Sequence, residues 1–106
     1  MKILYITPHL STGGAPQYLL KKIELLYNDN DIYVIEYNDY GSYRVQKDKI
    51  LNILNDQLIT LSDDKSDILT YLDKIKPDII HFEEMPEFFV DDKIAEKIYK
   101  KNRNYL

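Results

Sequence analysis

The apolar residues of this chain arrive in short blocks, and their spacing switches back and forth between two periods. Ile3, Leu4, Tyr5 and Ile6 form an unbroken run of the kind a strand buried on both faces carries, and they predict a strand over residues 2–7. From Leu19 onward the period becomes helical. Leu19, Leu20, Ile23, Leu26 and Tyr27 fall on one face and predict a helix over residues 15–27. Pro16 suits its first turn, where a missing N–H costs nothing. Asn28-Asp29-Asn30 reads as a turn.

The same alternation continues. Residues 31–37 are rich in β-branched and aromatic side chains and predict a second strand. A loop over residues 38–42 precedes a short helix over 47–55 that packs through Ile50, Leu51, Ile53 and Leu54. Residues 57–61 predict a third strand. The next helix, over residues 65–76, is capped by Ser62 or Asp64, packs through Ile68, Leu69, Leu72 and Ile75, and is stopped by Pro77. A fourth strand follows over 78–82 and a loop over 83–89. Asp91 or Asp92 caps a last helix carrying Ile94, Ala95, Ile98 and Tyr99, and residues 104–106 read as the start of a fifth strand.

Strands alternating with helices predict an α/β fold: a Rossmann-like parallel sheet with helices on both faces. The expected strand order is 3-2-1-4, with the truncated fifth strand beside the fourth. At 106 residues the chain is one domain, long enough to bury a core of its own. It ends where a strand begins, so the expectation is an incomplete domain, whose open sheet edge invites self-association.

Composition narrows the classes of function. The net charge of -4 is the wrong sign for a nucleic-acid footprint. No stretch approaches the length of a spanning helix, and the N-terminal apolar run is too short for a signal peptide. The absence of cysteine removes disulfides and zinc-thiolate sites and agrees with a cytoplasmic location.

In open α/β sheets ligands bind beyond the carboxyl ends of the strands. Three segments are therefore candidates. The first is the loop after strand one, His9 to Gly14, which carries the pair Gly13-Gly14. Glycines allow positive φ and close backbone approach, and the helix start behind them offers free N–H groups to an anion. The loop lacks the lysine of a Walker A motif and the spacing GxGxxG, and the plainer alternative to a ligand loop is a tight strand-helix turn chosen for packing. His9 can bond a hydroxyl or a phosphate, or fill the loop without a role. No acidic residue stands at the end of strand two in the company of a dinucleotide fingerprint, although Glu36 and Asp39 are near.

The second segment is an aromatic loop with Tyr37, Tyr40, Tyr43 and Arg44. Tyrosine faces can stack on a sugar or base, and an arginine can fork onto a phosphate; the plainer reading is a surface loop. The third segment follows strand four, with Glu83, Glu84 and Glu87. Neighbours on a strand point to opposite faces, so Glu83 and Glu84 cannot serve as one acid-base pair. His81 within the strand is read as a half-buried histidine bonded to a neighbouring loop. Two histidines on separate strands do not make a metal site.

Two stretches resemble a known family. KILYITPHLSTGGAPQYLLKKIELL is similar to the opening of family 4 glycosyltransferases of the GT-B fold, and KPDIIHFEEMPEF to their fourth strand and the loop after it. The two lie in the family's order and at about its distance. The resemblance implies the N-terminal, acceptor-side half of a two-domain enzyme that moves a sugar from a nucleotide-sugar donor to an acceptor hydroxyl, with no metal or other cofactor. It implies diphosphate or substrate contacts at Gly13 and Gly14, with Thr12, Ala15 and His9 beside them, and acceptor contacts at Glu84. Tyr40 and Arg44 join Glu84 as acceptor-side candidates by position. The family's histidine near the reaction centre follows the fifth strand, beyond Leu106, and the donor-binding C-terminal domain is missing, so this chain alone is expected to be inactive. The alternative is a non-catalytic Rossmann-like module that binds a small anion or a protein partner.

Overall fold

The computed structural model describes residues 1–10, 14–37, 45–61 and 67–83. The expected last helix and fifth strand, and the caps proposed at Ser62, Asp64, Asp91 and Asp92, lie outside them.

Among the described residues, four strands and three helices alternate: β1 (Lys2–Thr7), α1 (Gly14–Leu26), β2 (Asp31–Glu36), α2 (Val45–Leu54), β3 (Leu58–Thr60), α3 (Asp67–Ile75) and β4 (Ile79–Phe82). The strands form one parallel sheet in the order β3-β2-β1-β4, as expected. β1 is central. It pairs with β2 from Lys2–Asp31 to Thr7–Glu36 and with β4 from Ile3–Ile79 to Ile6–Phe82.

The unbroken apolar run of β1 is explained by burial on both faces. Ile3 and Tyr5 face α1 and α2, packing with Leu19, Leu20, Ile23, Ile50 and Leu54. Leu4 and Ile6 face α3, packing with Ile35, Ile68, Leu72, Ile75 and Ile80. Each fully buried Leu or Ile contributes about 1.5–3 kcal/mol relative to its exposed state.

The helix ends differ from expectation for local reasons. α1 stops at Leu26, and Leu26 and Tyr27 are exposed at 37% and 44% rather than packed. Leu51, expected in the α2 interface, is exposed as well. α2 ends at Leu54 because Asn55 takes a left-handed φ of 54°, a conformation asparagine tolerates, and opens a single 3-10 turn over Asn55–Gln57. α3 ends at Ile75, where Lys76 turns left-handed at φ 52° ahead of Pro77. Lys2 closes that end. Its Nζ donates to the Ile75 carbonyl at 2.9 Å, placing a cation at the negative end of the helix.

Candidate functional site

All four strands run the same way, so their carboxyl ends share one edge. The chain moves outward from β1 to β2 and β3, then returns past β1 to β4. The order therefore reverses between β1 and β4, and the ends of those strands flank the crevice where such sheets hold ligands. Backbone bonds continue beyond the strands on both sides of β1. Tyr37 N–H donates to the Thr7 carbonyl at 3.2 Å, and Glu83 N–H to the Ile6 carbonyl at 2.9 Å.

Of the expected site residues, His9, Gly14 and Ala15 lie among the described residues. His9 is half-buried in the loop after β1, and its carbonyl accepts a long 3.4 Å bond from Thr7 Oγ1. Gly14 is the first residue of α1 and Ala15 the second. Thr12, Gly13, Tyr40, Arg44 and Glu84 lie outside the described residues, as do Tyr43 and Glu87.

Two polar clusters that sequence reasoning does not assemble sit at this edge. The first centres on Glu36, the last residue of β2, which is 1% exposed. Its Oε2 accepts the Leu10 N–H at 2.6 Å, and its Oε1 accepts the Thr60 hydroxyl at 3.0 Å. Lys47 Nζ, from the first turn of α2, lies 2.8 Å from the same Oε1. One carboxylate thus ties the loop after β1 to β2, β3 and α2. A signal for it exists. Glu36 has the same parity as Ile32 and Val34 on the buried face of β2, and Lys47 shares a helical face with Ile50 and Leu54. A glutamate and a lysine on two facing apolar surfaces must find each other, because neither charge can be left buried alone.

The second cluster lies across β1, at the end of β4. Glu83 Oε1 lies 2.6 Å from Lys22 Nζ of α1 and 3.9 Å from His81 Nε2. The His81 ring rests near the Tyr5 ring, 5.5 Å between centroids, and Lys22 sits 4.6 Å from the centre of the Tyr18 ring. Burial lowers the pKa of His81 below the usual histidine value; the nearby Lys22 charge adds to this and Glu83 opposes it. Burial, with Glu83 beside it, raises the pKa of the Tyr5 hydroxyl. Glu83 therefore points toward α1 and is engaged by a lysine rather than being plain surface charge.

A shallow groove between α1 and α2 is lined, among the described residues, by Gln17, Leu20, Lys21, Glu24, Gln46 and Lys49. Among the described residues, no three His, Cys, Asp or Glu side chains gather in a way that could hold a metal ion, and no helix is long and apolar enough to cross a membrane. No protein-family model and no curated protein matches the chain.

Proposed function

We propose that this chain is the N-terminal, acceptor-side part of a glycosyltransferase of the GT-B fold, and that it holds substrates at the crevice between β1 and β4. The observation that carries the reading is the reversal of strand order beside β1, with α1 beginning at Gly14 next to it. A fold of this kind hosts many chemistries. The assignment to sugar transfer therefore leans on the two motifs that flank the crevice, the Gly13-Gly14 loop after β1 and the DIIHFEE sequence through β4.

On this reading Gly13 and Gly14 let the donor diphosphate come close to the backbone. N–H groups at the start of α1 then meet the negative charge that grows on the leaving diphosphate. His9 and Thr12 precede these glycines and Ala15 follows them in the first turn of α1, while Tyr40, Arg44 and Glu84 follow the neighbouring strands in sequence and would hold the acceptor. The work of this half is to set an acceptor hydroxyl against the anomeric carbon of the donor. On this reading the donor's nucleotide is held mainly by a second Rossmann-like domain, which also faces the crevice. No metal is needed, and the setting is the cytoplasm.

Gly14→Val in the whole enzyme tests the loop. A valine at the first residue of a helix is tolerated by the fold, but its side chain crowds a ligand at the backbone. We expect kcat/KM for transfer to fall roughly tenfold or more with thermal unfolding unchanged. Full activity in the variant sinks the role given to the loop.

A further inference from the structure

We propose that Glu36 is a positioning residue for this edge: its buried carboxylate fixes the Leu10 backbone and, through it, the start of α1. Its consequence for ligands rests on the reading of this edge given above; the positioning itself does not.

Glu36 stands at the end of β2, where dinucleotide-binding folds carry the acid that holds a ribose hydroxyl. Here that acid is turned into the protein. Leu10, Thr60 and Lys47 occupy its oxygens, and Lys47 is itself only 6% exposed. A buried ion pair is seldom more stabilising than an apolar pair of the same size, so stability alone does not explain the choice. What an apolar pair cannot do is accept the N–H of Leu10, a residue with no exposed surface. Only residues 11–13 separate Leu10 from Gly14, and α1 is anchored to the sheet through Leu19, Leu20 and Ile23. So short a link, held at both ends, couples the Leu10 anchor to the start of α1. Losing the Leu10 anchor releases one end.

The test compares two double variants of the full chain by amide NMR, with inorganic pyrophosphate as the probe. Glu36→Gln with Lys47→Met removes both charges and keeps an acceptor for Leu10. Glu36→Val with Lys47→Met removes the acceptor as well. The Leu10 amide should be protected from exchange in the unmutated chain and in the first variant. In the second it should exchange at least about tenfold faster, with the Gly14 and Ala15 amides shifting alongside. Pyrophosphate affinity should survive in the first variant and weaken roughly tenfold in the second. A folded second variant with unmoved Gly14 and Ala15 amides and unchanged affinity overturns the proposal. Should that variant not fold, a rapidly exchanging Leu10 amide in the unmutated chain overturns it, and a protected one shared with the first variant supports it. Failure of the unmutated chain to bind pyrophosphate counts against the ligand reading of the edge, and the amide data then decide the positioning role alone.

Discussion

Lys22 on α1 places its Nζ 2.6 Å from Oε1 of Glu83, the residue just past β4, and so links the helix that follows β1 to the strand end across the crevice. Both side chains are shielded, at 21% and 12% exposure, so water screens the pair less than it would at the open surface. Lys22→Met keeps an apolar stem against Tyr18 and removes the charge. The expected loss is about 1–2 kcal/mol in urea unfolding. An unchanged midpoint would place the pair among surface contacts that contribute nothing.

His81 carries the pH dependence of the same cluster. Its folded pKa lies below the unfolded value, so between the two the unfolded chain binds more protons. Its contribution to stability is therefore fully present above the unfolded value of about 6.5 and is lost as pH falls through the folded one. Lys22→Met removes one of the influences that lower the value, and Glu83→Gln removes the one that raises it. NMR titration of the His81 ring should show the pKa rising in the first variant and falling further in the second. Movement in the opposite directions contradicts the geometry described for the cluster.

The α1 face gives a test of packing. Ile23 is fully buried against the sheet, whereas Leu26, three residues on, is exposed. Ile23→Ala should cost about 2–5 kcal/mol, and Leu26→Ser should change stability by less than about 0.5 kcal/mol. Equal losses in chemical unfolding would mean that Leu26 is packed as firmly as Ile23, and would contradict its exposure.

The architecture is legible because the two periods do not resemble each other. The run from Ile3 to Ile6 suits a strand covered on both faces, and Ile68, Leu72 and Ile75 suit a helix covered on one. Local periodicity does not say where a helix leaves the sheet, which is why Leu26, Tyr27 and Leu51 fit the apolar pattern and still stand outside the core. The edge of the sheet is legible as a place, since it follows from strand direction. Its polar wiring is harder to read. Glu36 and Lys47 look like ordinary charged residues until the parity of β2 and the face of α2 are set against each other. Lys22 gives no signal at all, because its partner Glu83 lies sixty-one residues away and only the pairing of β4 with β1 brings them together.

The proposed role of this edge is to handle a nucleotide sugar. The most direct test is release of nucleoside diphosphate by the full-length protein, offered a panel of nucleoside-diphosphate sugars with candidate acceptors. Acceptor-dependent release is expected from at least one donor, and its loss in Gly14→Val. A folded protein that neither binds nor turns over any nucleotide sugar rules out sugar transfer and leaves the chain as a non-catalytic binding module.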